Sequence, residues 1–448
     1  MKPFAVIPIA ALLWVTATSG QTVSSPAAGA LSLPPSAVSQ SPAALPAAPE
    51  AQPSAAKPLT LEQAIAMAEQ NSPRLRGAAA ATQRAAAAVG TSRAYINPSL
   101  EVFQGRQYAR PIATPGVPGL LQHYAAYQAI EIPSERRART RAAELSRLSA
   151  DFGQKGVTRS VVADVKHAFY DVLRRREELA HQQENLKLVE DLRRRVEVEY
   201  RVGEKGRLEL TRAEAELGRA GFAVRGAQLE LANAIALLRI AIAAPADDAL
   251  DPRGSLEQRI KLPELTALRE EVLRTHPAIA QAAAEVDAAG ARLDRERRLR
   301  IPQPTAFAEF ENQPDLRFWR AGVTVPIPLW DRRRGPIEES KAAINQAQAE
   351  AGQRRLELIS ATERAYEQYQ LADQQATSLE SGELRAASSA VDAAQAAYRF
   401  GERGIVEVLD AQRVLQSVRD DLINAQFARQ SALIDLEELG AIVPGGRP

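Results

Sequence analysis

The chain has 448 residues, 56 of them basic and 55 acidic, with a formal net charge of +1 and no cysteine. That balance gives no general attraction to nucleic acid or anionic lipid, and the missing thiols exclude disulfides and thiolate metal sites. Aromatic residues make up only 5%, too few for one large globular core. Abundant alanine and charge in long periodic runs point instead to helices packed closely side by side.

Residues 1–20 read as a secretory signal. Lys2 precedes an apolar stretch from Phe4 to Ala17 that is too short for a membrane span, and small residues follow it. Residues 21–58 are rich in Pro, Ala and Ser and predict a disordered or extended tether. A first structural unit, 59–245, opens with a helical pattern from Leu59 to Ala94, capped by Thr60 and interrupted by Pro73. Ile96 to Tyr108 and His123 to Ile132 alternate as strands, with a Pro- and Gly-rich loop from Pro111 to Gly119 between them. Ser134 is expected to cap a long helix to Arg201, roughly 100 Å at 1.5 Å per residue. Leu208 to Ala244 is helical and stops at Pro245.

The second unit, 263–440, repeats the plan, and 441–448 form a tail. Pro263 to Arg300 is helical, and Thr305–Asn312 and Phe318–Ile327 are strands. Trp319, Ala321, Val323, Val325 and Ile327 share one face of the second strand; Arg320, Gly322 and Thr324 share the other. Asp331 and Pro336 mark the start of a helix to about Phe400, and Ile405 to Gly440 closes the unit. In each unit two shorter helices add up to the length of the long one, so they can stack end to end against it. Four strands per chain cannot close a barrel, and open edges are not tolerated in a bilayer. If the strands enter a membrane, several chains must combine.

The most specific signal is a pair of turns. Tyr398-Arg-Phe-Gly-Glu-Arg-Gly-Ile-Val-Glu-Val-Leu-Asp-Ala411 matches Tyr200-Arg-Val-Gly-Glu-Lys-Gly-Arg-Leu-Glu-Leu-Thr-Arg-Ala213 in register. Each joins two helices through paired glycines, which supply the left-handed backbone that ends a helix. Asn71-Ser-Pro73 likewise matches Thr275-His-Pro277, and Ile130-Glu-Ile-Pro133 matches Val325-Pro-Ile-Pro328. Ordered anchors of this kind define an internal two-fold repeat.

With these residues in place the chain resembles the TolC family of outer-membrane efflux channels, from about Leu59 to Gly440. The most specific match is Tyr398, Gly401 and Glu407-Val-Leu-Asp410-Ala, with Glu407 where the family commonly has Asp. Val323 to Gly335 is similar to a segment of the cobalt–zinc–cadmium branch. The resemblance implies a mainly α fold with a small β part: a long α-helical coiled-coil barrel, with four strands per chain contributing to a twelve-stranded trimeric transmembrane β-barrel. It implies a homotrimer in outer-membrane lipid, a periplasmic adaptor and an inner-membrane RND-type pump. The cargo it suggests is divalent heavy-metal cations; drug or solvent efflux and type I secretion stay open, as does a non-channel periplasmic adaptor or scaffold. No cofactor, nucleic-acid partner, catalytic residue or metal ligand set is expected.

Tyr200, Gly203, Glu209, Tyr398, Gly401, Arg403, Glu407 and Asp410 are the candidate tip and adaptor-contact residues. Glu407 and Asp410 share a helix face, and in a trimer each would form a ring of three carboxylates at the entrance. The helix macrodipole favours the same acids without any channel role. By resemblance, Arg403 and Tyr398 could latch a closed tip. The four histidines show no ligand spacing.

Overall fold

The computed structural model describes residues 57–107, 119–246, 248–256, 259–314 and 316–442. The chain divides into the units Met1–Pro53 and Ser54–Pro448, and the description below is of the second. The expected signal segment, most of the Pro/Ala-rich segment, nearly all of the Pro111–Gly119 loop and the end of the tail lie outside the described residues.

The elements run β1 (Lys57–Leu59), α1 (Leu61–Asn71), α2 (Pro73–Arg93), β2 (Ser99–Gln107), β3 (Gly119–Ala129), α3 (Pro133–Arg201) and α4 (Arg207–Ala241). They continue with β4 (Leu250–Pro252), α5 (Leu265–Thr275), α6 (Pro277–Arg298), β5 (Thr305–Asn312), β6 (Arg317–Thr324), α7 (Arg334–Ser378), α8 (Leu384–Arg399) and α9 (Ile405–Leu439). Leu379–Glu383, between α7 and α8, is a π-helical turn.

The α3 helix has 69 residues, about 100 Å of rise. Its first half packs against α2 and its second half against α4. Ala64 and Ala68 of α1 and Leu238 of α4 meet around Phe169, midway along α3. The short helices therefore abut at mid-length and span the long one together. In the second unit, Leu268 and Val272 of α5 meet Leu436 of α9 against Leu358 and Ala365 of α7. Buried alanines such as Ala142, Ala288 and Ala291 line the α3–α6 contact. Side chains that small let the helix axes come close, and this replaces the large core that the aromatic content rules out.

Several boundaries depart from the sequence reading. Thr60 caps α1, with Gln63 completing the capping box. Ser134, however, lies inside α3; Ile132 is the N-cap and Pro133 takes the first helical position, where its missing N–H costs nothing. The start of α7 is Arg334 rather than Asp331, with Arg333 in the left-handed conformation as N-cap. The β6 strand stops at Thr324 because Pro326 and Pro328 cannot donate to a ladder. Lys57 and Pro58, assigned to the tether, form β1 and pair in parallel with Leu250 and Asp251 of β4. Composition could not reveal that pairing, because the partner lies far along the chain.

The β2, β3, β5 and β6 strands form one antiparallel sheet in that order. Hence β2 and β6 are its free edges. At the sheet end of the helices, buried Glu135 ties the layers together. It pairs with Arg295 of α6 at 3.2 Å. Arg139 lies 3.8 Å from Glu135 and also donates to the carbonyls of Ser92 and Ala94 at 3.0 Å.

Equivalent helix ends in the two units differ in one residue. Ala243 after α4 has φ 51° and Gly440 after α9 has φ 74°. A side chain in this region costs about 1–2 kcal/mol. Ala243→Gly should therefore stabilise the protein by about 1 kcal/mol, read as a higher Tm. Gly440→Ala should destabilise it by about 1–2 kcal/mol, since the atom its Cβ would meet at 2.6 Å is the movable end of the Arg159 side chain. A second prediction concerns His276, the N-cap of α6, whose Nδ1 accepts the Ala278 N–H at 3.1 Å. Burial, then Arg159 and Arg354, lower its pKa to about 4. A histidine that is harder to protonate when folded contributes its stability fully above its ordinary pKa and loses it as pH falls toward the folded value. His276→Ser should flatten the fall in Tm between about pH 6.5 and pH 4.

Candidate functional site

Two regions at opposite ends of the helices hold the candidate residues. The first is the sheet. Its register places Leu100, Ala126, Ala308 and Ala321 in one row, and Val102, Tyr124, Phe310 and Trp319 in the next. Both rows lie on the same face, since alternate residues along a strand point the same way. Trp319 is 77% exposed, Leu100 75% and Val323 58%. A contiguous apolar face of this kind marks a membrane or partner contact.

The opposite face is charged. Glu101, Ala125, Glu309 and Arg320 form one row; Phe103, His123, Glu311 and Phe318 form another. Glu309 pairs with Arg320. His123 stacks on Phe103 with centroids 4.4 Å apart and lies 4.0 Å from Glu311. Among the aromatics of the sheet, Tyr124 and Trp319 lie on the apolar face, while Tyr127 and Phe318 lie on the charged one.

The second region is the pair of turns. Gly203 has φ 82° and Gly401 φ 76°. The Gly203 N–H donates to the Tyr200 carbonyl at 3.1 Å and the Glu204 N–H to the Glu199 carbonyl at 2.9 Å. Gly401 and Glu402 repeat this with Tyr398 and Ala397, at 3.1 and 3.0 Å. This is the Schellman closure of a helix, made twice. A Cβ at Gly203 or Gly401 would meet nothing within 4 Å, so only the backbone angle demands glycine. Gly206 and Gly404 are the N-caps of α4 and α9, which puts Glu209 and Glu407 in the first helical turns.

The two tyrosines have different fates. Tyr398 is buried among Leu192, Val196, Ile405 and Val408 and donates its hydroxyl to the Glu199 carboxylate at 2.5 Å. Burial, then that carboxylate, pushes its phenol far above the ordinary value. The Lys205 ammonium sits 5.1 Å from its ring centroid. Tyr200 is exposed. The second turn is thus docked on the first, and Tyr398 is the dowel. Arg413 of α9 adds a 2.8 Å ion pair to Glu216 of α4, and Arg419 a 3.0 Å pair to Glu184 of α3. Glu199, Glu216 and Glu184 were not foreseen. Nothing in local spacing distinguishes them from other helical glutamates.

Glu407 and Asp410 are exposed on α9, with Glu407 Oε2 folded back to 3.4 Å from a Cβ position at Gly404. Glu209 is half-buried, and its charge reaches Tyr398. Arg403 is exposed and pairs with no carboxylate among the described residues. Among the described residues no group of three His, Cys, Asp or Glu could hold a metal ion. His167 instead pairs with Asp435 at 2.9 Å.

Tyr398→Phe keeps the buried ring and removes only its bond to a charged acceptor. It should cost about 1.5–3 kcal/mol and speed amide exchange at Gly203 and Gly401. Unchanged exchange would show that the bond does not hold the turns together. Gly401→Val should cost at least about 1–2 kcal/mol from its backbone angle.

The chain matches the family described as Outer membrane efflux protein over residues 64–244 and 268–440. The Cobalt-zinc-cadmium resistance protein CzcC of Cupriavidus metallidurans is 26% identical over 377 residues, 82% of this chain and 86% of its own. Protein CyaE of Bordetella pertussis is 28% identical over 328 residues, 69% of this chain and 68% of its own. The solved structure of CusC superposes with a TM-score of 0.73 at 19% identity, covering 85% of this chain and 91% of that one, a likeness of fold. The two matched blocks span well over half of the sequence and take in the abutting helices, the sheet and both turns, and the chain belongs to the outer membrane efflux protein family.

Proposed function

We propose that this chain is the outer-membrane channel of a three-part export system, working as a homotrimer that conducts divalent heavy-metal cations out of the cell. One observation carries the reading: a four-stranded sheet, apolar on one face and open at both edges, stands on helices about 100 Å long. In hydrocarbon the edges of β2 and β6 must be paired. Three chains joined β6 to β2 close twelve strands, with the apolar face in lipid and the charged face in the lumen. The long helices then enclose a periplasmic passage that ends at the glycine turns. A periplasmic adaptor contacts those turns around Gly203, Gly401 and Arg403, and an RND-type inner-membrane pump supplies the energy. The channel itself performs no chemical step.

Support for metal cargo comes from the similarity to CzcC and from the Val323–Gly335 segment. The exposed Glu407 and Asp410, tripled by the trimer, would favour cations at the entrance. Glu209 is partly buried and less open to the passage.

A strain lacking the chain should become sensitive to zinc, cobalt and cadmium and regain resistance with the intact gene. Sensitivity confined to organic drugs or solvents, or loss of a secreted polypeptide, would replace the cargo assignment and keep the channel. The membrane fraction should contain a heat-resistant oligomer in dodecyl sulfate; a soluble periplasmic monomer would overturn the channel in favour of an adaptor or scaffold. In planar bilayers, Glu407→Ala with Asp410→Ala should lower cation preference several-fold. Unchanged conductance and selectivity would remove the carboxylate rings from the mechanism.

A further inference from the structure

The four helix ends below the sheet form one level, and that level is strongly basic although the whole chain carries a formal charge of only +1. The ties are explicit. Arg139 of α3 holds the carbonyls that end α2, Glu135 of α3 holds Arg295 of α6, and Arg333 at the start of α7 holds Glu296 of α6 at 3.1 Å. Around this network Arg137, Arg298, Arg300, Arg332 and Arg334 are exposed and pair with no carboxylate among the described residues. Their placement has a cost. Arg298 and Arg300 suit the C-terminal end of α6, but Arg137, Arg332 and Arg334 stand near the N-termini of α3 and α7, where the macrodipole repels cations. Helix stability does not explain them.

The second observation is what lies directly beside them. Trp330 is 93% exposed, Ile327 74% and Tyr95 69%. Val325, which follows directly on β6, is exposed as well. The Arg136 guanidinium lies 4.1 Å over the Tyr95 ring, which joins the aromatic layer to the basic one. An apolar sheet face, then amphipathic aromatics, then arginines is the order of a bilayer leaflet read from hydrocarbon to headgroup.

We infer that Arg137, Arg298, Arg300, Arg332 and Arg334, beneath Tyr95 and Trp330, form a collar that binds the phosphates of anionic phospholipids in the periplasmic leaflet of the outer membrane. Guanidinium groups fork onto phosphate oxygens and are weakly hydrated, so arginine suits this task better than lysine. The inference rests on the channel reading for the presence of a membrane at this level. It goes beyond that reading in naming the lipid class and the residues that select it.

The test compares purified wild-type protein with a variant carrying R298Q, R300Q, R332Q and R334Q, and with the matching Lys variant. Each is mixed with phosphatidylcholine vesicles with or without phosphatidylglycerol, and retained lipid is read by native mass spectrometry. Wild type should prefer phosphatidylglycerol by tenfold or more, given roughly fivefold per basic residue near an anionic surface. The Gln variant should lose that preference while keeping the heat-resistant oligomer, and the Lys variant should keep most of it. Raising the salt concentration should weaken the wild-type preference in flotation assays, a readout independent of any variant's folding. Equal retention of the two lipids by wild type, or an undiminished preference in the Gln variant, overturns the inference. So does selective retention of lipid A phosphates in their place. A monomer that still selects phosphatidylglycerol would sink the channel reading and leave the collar standing.

Discussion

A backbone N–H or C=O left unpaired in hydrocarbon costs several kcal/mol, and β2 and β6 each present a whole row of them. The rest of the structure follows from how that cost is removed. Within the chain, β3 and β5 are paired on both sides, so the two repeats meet at the centre of the sheet. Under the proposed function, other copies of the chain would satisfy the outer edges. Register then decides what faces lipid. A slip of one residue along β5 would exchange Phe310 and Ala308 for Glu309 and Glu311 on the apolar face. The Arg320–Glu309 pair and the His123–Phe103 stack hold the charged face in its place.

The helices solve a different problem. They must be long, nearly parallel and close, with little aromatic bulk to pack. Alanine at their contacts and ion pairs between neighbours do this, and isolated exposed pairs are worth little individually. Buried Glu135 is the exception, because losing either arginine would leave a desolvated charge. It fixes the sheet end of α3 to α6. The two units are not identical. The α3 helix is uninterrupted, whereas its counterpart contains the π-helical turn Leu379–Glu383, where Gln426 of α9 donates to Glu380 at 3.0 Å.

At the far end, the same turn is used twice for different purposes. Tyr398 is a buried peg between the hairpins and Tyr200 an exposed residue on their surface. The carboxylates follow suit: Glu209 belongs to the packed side, Glu407 and Asp410 to the open one. Under the proposed function, a conduit of this form would discriminate through charge at its narrow end rather than through a ligand cage. Among the described residues there is no such cage, and under the proposed function the pump would choose the cargo.

Much of this was legible in the amino-acid order. Helix and strand periods, the left-handed glycines at Gly203 and Gly401, the Thr60 cap and the matched anchors are local features, each set by backbone sterics or by the repeat distance of one element. They are enough to name the mainly helical architecture. Local features could not reveal the β1–β4 pairing, the shift of the α3 cap from Ser134 to Ile132, or the break in the last long helix. Nor could they separate Tyr398 from Tyr200, because closely matched sequence contexts acquire different neighbours only when the second hairpin docks on the first. The same holds for the arginines. Along the chain Arg332, Arg333 and Arg334 are three successive like charges. Tertiary structure takes Arg333 for Glu296 and leaves its neighbours exposed, because an ion pair depends on a distance in space that spacing along the chain does not define.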